Sequence, residues 1–203
     1  MTDTVGVILA GGQARRMGGG DKGQLVLGGR TLLDHVTGRL APQVGGMALN
    51  ANGDAGRFAD YGLEVLPDTV AGFPGPLAGV LAGLDWAAAM GATQIVTVAA
   101  DTPFFPADLV TRLQASAARA GTAIALAATL DGDRTVRHPT FGLWPVSLRH
   151  DLRGALEDGV RKVVLWTDRH GAASAVFDGD PFFNINTPED HMEADRIMQA
   201  RAE

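Results

Sequence analysis

The sequence predicts one α/β domain of three layers, a mostly parallel central sheet with helices on both faces. Three observations predict it. Short β-branched runs alternate with longer amphipathic stretches, the rhythm of βαβ units joined by right-handed crossovers. The first run, Val5-Gly-Val-Ile-Leu-Ala10, has no polar alternate face, as befits a strand buried on both sides. The chain has 203 residues, 46% of them hydrophobic and 20% charged, enough for one substantial core, and no Pro/Ser-rich linker divides it.

The elements follow in order. After Val5–Ala10 comes a glycine-rich loop, then a helix whose face is Leu32, Leu33, Val36 and Leu40, ended by Pro42 and the Gly45-Gly46 pair. Met47–Asn50 reads as the second strand, Ala55–Tyr61 as a short helix and Leu63–Leu66 as the third strand. Pro74-Gly75-Pro76 sets up a helix over Leu77–Met90, stopped by Gly91. Gln94–Ala100 is a strong strand that ends in Asp101-Thr102-Pro103. A helix from Pro106 to Ala120 and a strand over Thr122–Thr129 follow. Beyond Asp131 the rhythm loosens: a strand at Thr140–Trp144, helices at Val146–Glu157 and Arg161–Asp168, and edge strands at Ala175–Phe177 and Phe182–Ile185. A terminal helix is capped near Thr187, with Pro188 at its first position.

Composition narrows the function. Lys+Arg 17 against Asp+Glu 23 gives a net charge of −6, which disfavours a nucleic-acid binder. Having no cysteine removes disulfides, thiolate metal sites and a cysteine nucleophile together. The N-terminus shows no signal-peptide pattern. The longest apolar stretch, near Ala123–Ala128, falls far short of the roughly 18–20 residues of a membrane span, so the expected compartment is the cytoplasm and no membrane partner is expected. His35, His138, His150, His170 and His191 show no metal-ligand spacing, and Trp86, Trp144 and Trp166 read as packing residues.

Glycine is the outlier. Nine of the 27 fall within the first 30 residues. Most of these belong to the loop Leu9-Ala-Gly-Gly-Gln-Ala-Arg-Arg-Met-Gly-Gly-Gly-Asp-Lys-Gly23, at the carboxyl end of the first strand, where open parallel sheets bind ligands. Glycines let backbone N–H groups surround an anion, and Arg15, Arg16 and Lys22 add positive charge against Asp21 alone. Lys22 is one of only two lysines, with Lys162, in a chain of fifteen arginines, which suits a compact ammonium that follows a phosphate through a reaction. Taken alone, Lys22 reads better as a solvated surface residue; the glycines and the strand end turn the reading toward function.

Gly18-x-Gly20-x-x-Gly23 is not a dinucleotide fingerprint, because it begins eight residues past the strand and no acidic residue closes the second strand. Asp21-Lys22-Gly23 is not the Gly-Lys-Ser/Thr of a P-loop.

Carboxylates close two further strands. Asp101, after six apolar residues, suits a hard cation such as Mg²⁺, which takes one or two carboxylates plus phosphate oxygens and water; a turn-forming Asp before Pro is the alternative. Asp68 stands in Pro67-Asp68-Thr69, which is also an ordinary turn sequence. Asn50-Ala-Asn52 and Asn184-Ile-Asn186 each place two amides at a predicted strand end, with turn chemistry as the alternative.

Four stretches in order carry a resemblance. Leu9-Ala-Gly-Gly…Arg16-Met-Gly…Asp21-Lys22, Pro74-Gly-Pro-Leu-Ala-Gly79, Asp101-Thr-Pro and Asn184-Ile-Asn186-Thr-Pro-Glu189 resemble the molybdenum cofactor guanylyltransferases. These are nucleotidyltransferases of a glycosyltransferase-A-like, Rossmann-related fold. The resemblance covers nearly the whole chain and implies transfer of GMP from GTP to the terminal phosphate of molybdopterin carrying molybdenum, with release of pyrophosphate. It further implies that Leu9, Ala10, Gly11 and Gly12 meet the nucleotide, that Lys22 holds its phosphates with help from Arg16, and that Asn50 and Asp68 bind the nucleoside. Asp101 would hold Mg²⁺, with Asn184 and Asn186 beside the metal and phosphates. Cytidylyl relatives usually carry Leu-Ala-Ala-Gly in the first loop, so Gly11-Gly12 leans toward guanine.

The acceptor, a phosphate monoester with a second pKa near 6, is already largely ionised at neutral pH, so the chemistry needs no general base. Residues 1–130 form the expected nucleotide-binding part and 131–203 the acceptor-binding part, with Asn184, Asn186, the stretch Arg137-His138-Pro139-Thr140 and the pair Arg161-Lys162 as candidates for an anionic pterin. Solvated charges around a turn and a helix start are at least as good a reading of the two basic stretches. Contact with molybdenum-insertion and cofactor-delivery proteins is a further implication. The competing readings are a cytidylyltransferase, a sugar-phosphate nucleotidyltransferase, or a non-catalytic nucleotide-binding module.

Overall fold

The structure is a computed structural model and describes residues 3–11, 21–70 and 75–202. In chain order, β1 (Thr4–Leu9) precedes a small hairpin of β2 (Val26–Leu27) and β3 (Arg30–Thr31). Then come α1 (Leu32–Leu40), β4 (Met47–Asn50), β5 (Glu64–Leu66), α2 (Pro76–Ala89), β6 (Gln94–Ala99) and α3 (Leu109–Ala120). The chain continues through β7 (Ala125–Asp131), β8 (Arg134–Pro145), α4 (Arg149–Glu157), α5 (Val163–Arg169), β9 (Ala173–Phe177) and α6 (Pro188–Ala202).

Seven strands form one sheet in the order β5-β4-β1-β6-β8-β7-β9. Every pairing is parallel except those of β8, which runs antiparallel to both β6 and β7. Side chains alternate between two cores, so three layers result. Ile8, Val96, Val98, Ala127 and Phe141 pack with α1 and α3 on one face. Val5, Val7, Ile95, Leu126 and Trp144 pack with α2, α4 and α5 on the other. This is why Val5–Ala10 shows no polar face: both sides are covered. Trp144 and Trp166 are fully buried and stack with ring centroids 6.2 Å apart, and Trp144 Nε1 donates to Thr97 Oγ1 at 2.9 Å.

From β1 the chain first builds outward to β4 and β5, then crosses back to place β6 on β1's other side. The switch point therefore opens a crevice at the carboxyl ends of β1, β4 and β6. The helix α2 lies close over this point because it lacks side chains there. A Cβ on Gly83 would stand 2.7 Å from Val7 Cγ2, and one on Gly79 would stand 2.2 Å from Asn50 Oδ1. That close approach explains the last glycine of the Pro74–Gly79 stretch.

Three expectations change. The Phe182–Ile185 stretch is not an edge strand. It crosses the crevice mouth with one backbone bond to the strand ends, Ile185 N–H to the Asp101 carbonyl at 2.9 Å. It is apolar because Phe182 and Ile185 are buried in two different clusters.

The loosened rhythm after Asp131 is a hairpin. Gly132 (φ +57°) is the first of two loop residues between the paired Asp131 and Arg134, the place a glycine-first two-residue turn needs it. The strand predicted at Thr140–Trp144 is the second half of β8. A register shift beside Pro139 breaks the alternation of its first half.

Finally, not all the early glycines serve the loop. Gly28 and Gly29 (φ +56° and +81°) make the β2–β3 turn, and Gly6 lies against Leu40 in the core.

Candidate active site

The crevice is a cleft of about 390 Å³ lined by Leu9, Gly11, Asn50, Asn52, Asp68, Gly75, Pro76, Ala99, Asp101, Thr140 and Asn184. It receives the ends of β1 (Leu9, Gly11), β4 (Asn50), the turn after β5 (Asp68) and the turn after β6 (Asp101). Thr140 comes from the middle of β8, whose reversed direction brings it to this same end of the sheet. Among the described candidates, Leu9, Gly11, Asn50, Asp68, Asp101 and Asn184 meet here as predicted. Gly12 and Arg16 lie outside the described residues.

At one end of the cleft, charged groups gather from across the chain. The Lys22 ammonium is 3.3 Å from Asp101 Oδ2 and also donates to Asn186 Oδ1. The two charged side chains are only 18% and 21% exposed, so their charges are little diluted by solvent. The other Asp101 oxygen accepts from the Thr102 hydroxyl at 3.2 Å, and that hydroxyl also contacts the Asn184 amide oxygen. Asn186 is held by its own backbone: its N–H and that of Thr187 donate to the Asp190 carboxylate at 2.9 Å each, while Asp190 N–H donates back to Thr187 Oγ1. This reciprocal cap starts α6 as the sequence predicted. The Asn186 N–H, and after it the bonds from Thr187 and the charge of Lys22, hold the Asp190 carboxyl below the ordinary carboxylate range against the opposing cost of burial.

The other end is a lock of amides. Asn50, buried, donates from Nδ2 to the Leu66 carbonyl and to Asp68 Oδ1, both at 3.0 Å. Asn52 donates from Nδ2 to Asp68 Oδ2 at 2.8 Å and accepts from Asp68 N–H at 2.9 Å. Both carboxylate oxygens of Asp68 are thus fixed by neutral donors. Between the ends, Ala10 N–H donates to the Asn50 carbonyl and Ala100 N–H to the Leu9 carbonyl, which bind the strand tips into one floor.

Of the expected acceptor residues, Asn184 and Thr140 line the cleft and Asn186 meets Lys22, whereas His138, Arg161 and Lys162 are not gathered with them. Half-buried His138 accepts or donates at Thr129 Oγ1 (2.9 Å) and packs its ring 4.5 Å from that of Phe182. Burial pushes its imidazole pKa down, with Asp180 opposing. Arg161 and Lys162 are exposed on the connection between α4 and α5, away from the cleft-lining set; Arg161 donates to the Leu156 and Val160 carbonyls.

Thr102 and Arg57 are site residues that sequence reasoning passed over. Thr102 had a signal in following Asp101, whereas Arg57 had none, since its place depends on a partner 36 positions away. Thr140, expected only within the Arg137–Thr140 acceptor stretch, lines the cleft.

For a divalent cation, Asp101 offers one partly exposed carboxylate beside an amide oxygen of Asn186. Among the described residues no three His, Asp or Glu side chains converge as a ready-made cage. One carboxylate with neighbouring phosphate and water positions is the donor set Mg²⁺ accepts.

Comparison with known proteins follows this geometry. Residues 6–172 match the model of the MobA-like NTP transferase domain. A molybdenum cofactor guanylyltransferase of Bradyrhizobium sp. (strain ORS 278) is 55% identical over 202 residues, covering 97% of this chain and 93% of that one. One from Mesorhizobium japonicum is 48% identical over 206 residues, covering 98% and 97%.

Among solved structures, molybdopterin-guanine dinucleotide biosynthesis protein A from Archaeoglobus fulgidus superposes with a TM-score of 0.74 at 23% identity, covering 97% of this chain and 99% of that one. A CMP:2-keto-3-deoxy-manno-octonic acid synthetase complexed with CTP gives 0.72 at 14% identity, covering 98% and 99%, and shares the fold. Full-length identity at this level, over a cleft built at the expected strand ends, places the chain in the molybdenum cofactor guanylyltransferase family of nucleotidyltransferases.

Proposed function

We propose that the protein transfers GMP from GTP to the terminal phosphate of molybdopterin carrying molybdenum, releasing pyrophosphate. The observation that supports this most is the polarity of the cleft. An amide-locked carboxylate at one end suits a nucleoside, and a lysine shared between Asp101 and Asn186 at the other suits a triphosphate. Family membership supplies the base and the acceptor.

The chemistry asks for positioning and charge neutralisation. An acceptor phosphate oxygen attacks the α-phosphorus of GTP. A P–O bond forms to the acceptor while the bond to the β-phosphate breaks, and its electron pair leaves with pyrophosphate. Lys22 neutralises charge on the phosphates, exchanging its contacts to Asp101 and Asn186 for phosphate oxygens. Asp101 would hold Mg²⁺ with Asn186 beside it, and the ion would supply Lewis-acid stabilisation of the transferring phosphoryl oxygens. Asn50 and Asp68 hold the nucleoside, and the tips at Leu9, Ala10 and Gly11 offer backbone to the nucleotide. The strand-floor bonds hold these groups in register before substrate arrives.

The experiment is incubation of the purified protein with Mg²⁺, molybdenum-bearing molybdopterin and each nucleoside triphosphate, reading pyrophosphate and the dinucleotide by mass. Pyrophosphate and the guanine dinucleotide are expected with GTP alone. Equal product with CTP would overturn the guanine assignment, and binding without any turnover would overturn the enzyme.

A further inference from the structure

The two ends of the cleft are joined by a side chain that belongs to neither. Arg57 sits in the short 3₁₀ turn Ala55–Tyr61 that follows β4, half-buried, with its guanidinium 4.7 Å from the ring centroid of the fully buried Phe58. Its Nε, buried and without a hydrogen-bond partner, lies 2.6 Å from Asp21 Oδ2, so the two make an ion pair held by charge and not by an aligned hydrogen bond, its members 29% and 17% exposed. Its terminal nitrogens donate to the Asn52 carbonyl at 2.6 Å and to the Asp54 carbonyl at 2.9 Å. Its own carbonyl accepts from Gln24 Nε2 at 2.9 Å.

The turn that carries Lys22, Lys22–Gln24, is therefore fastened at both ends to one residue: Asp21 to the guanidinium and Gln24 to the backbone. The same guanidinium holds Asn52, whose side chain holds Asp68. Gly53 makes room for it, since a Cβ there would stand 3.1 Å from Arg57 Nη1. A rigid planar fork reaches a carboxylate and two carbonyls at once; a lysine's single point charge does not.

We propose that Arg57 is a positioning residue: it braces the segment bearing Lys22 against the wall bearing Asn52 and Asp68, so that nucleoside and phosphates are presented at a fixed separation. The inference rests on the proposed reading of the cleft as a GTP site, but it is scored by binding alone, so it is judged separately from turnover and from the acceptor.

The test measures binding of pyrophosphate and of guanosine, as separate probes of the two ends, to the full chain and its Arg57→Ala, Asp21→Asn and double variants. Because a positioning pair acts as a unit, Arg57→Ala and Asp21→Asn should each weaken pyrophosphate about tenfold, the double variant being no weaker than Arg57→Ala. Guanosine should stay within about twofold, and Arg57→Lys should recover only part of the pyrophosphate loss. Losses that add to about a hundredfold in the double variant would overturn the proposal. So would guanosine binding that falls in step with pyrophosphate, the mark of a merely structural residue. Should Arg57→Ala unfold, Asp21→Asn decides alone, since it preserves shape and all of Arg57's carbonyl contacts. Unchanged pyrophosphate binding in that variant, at an unchanged melting temperature, would equally contradict it. Failure of the wild-type chain to turn over GTP would instead overturn the functional reading while leaving this result standing.

Discussion

The two ends of the cleft are built in opposite ways. The proposed nucleoside end is local: Asn50, Asn52 and Asp68 lie within 18 residues, at the end of β4 and in the segments after β4 and β5, and they lock one another through neutral amide bonds. The phosphate end is assembled from afar, with Lys22, Asp101 and Asn186 separated by up to 164 positions and held by charge and by the cap of α6. The difference teaches that the first end is a preformed shape, whereas the second is an electrostatic arrangement that depends on the whole fold. Perturbations should therefore separate affinity for the base from handling of the phosphates.

The largest effect should come from the phosphate end. Lys22→Ala and Asp101→Ala each remove a charge that, on the proposed function, acts on the transferring group, and turnover should fall by about 10²–10³-fold. Thermal unfolding should stay close to that of the parent, because both groups face the cleft. Rate assays beside melting curves check this; variants that keep their turnover would break the assignment of this end.

The nucleoside end breaks differently. A methyl at Gly79 would meet Asn50 Oδ1 at 2.2 Å, so Gly79→Ala must push the helix or the asparagine aside. Overpacking of this kind costs about 1–3 kcal/mol. GTP and guanosine should both weaken, and pyrophosphate should not; equal weakening of pyrophosphate would show that the ends are not separable.

A smaller effect tests how the phosphate end is held. Asp190→Asn weakens the cap on which Asn186 hangs, and loss of such a cap costs about 1 kcal/mol. Because the Asp190 carboxyl is held below its ordinary value, its contribution is present above pH about 4 and is lost as the pH falls further. Acid unfolding of the variant and the parent should converge below that point.

The smallest concerns His138. Burial depresses its pKa, so the folded protein binds fewer protons than the unfolded chain as the pH drops below 6.5. The melting temperature should decline from that pH until the depressed value is reached, and His138→Gln should decline less. Parallel curves would show that the imidazole protonates without cost.

The sequence made much of this legible, for a physical reason. Strands buried on both faces read as apolar runs, and whatever polar residue ends such a run is forced to the carboxyl end of the sheet, so Asn50, Asp68 and Asp101 were placed by their position, and their roles by resemblance. The amide pair Asn184 and Asn186 was read as the end of a predicted strand. Its real setting is a crossing segment whose burial imitates a strand. What stayed hidden depends on long-range partners: the Lys22–Asn186 contact, the Arg57–Asp21 pair, and the reversed direction of the strand that carries Thr140, which the irregularity at Pro139 obscured. The glycine count, too, overstated the loop, because a hairpin turn at Gly28-Gly29 and a packed position at Gly6 share the same thirty residues.

A crystal structure of the full chain with GTP and Mg²⁺ tests the central claim most directly. The guanosine should lie against Asn50 and Asp68, with the α-phosphate beside Asp101 and Lys22 moved from Asp101 onto phosphate oxygen. A nucleotide bound in the reverse sense, or one that leaves Lys22 on Asp101 and Asn186 with no phosphate contact, would contradict the two-ended cleft.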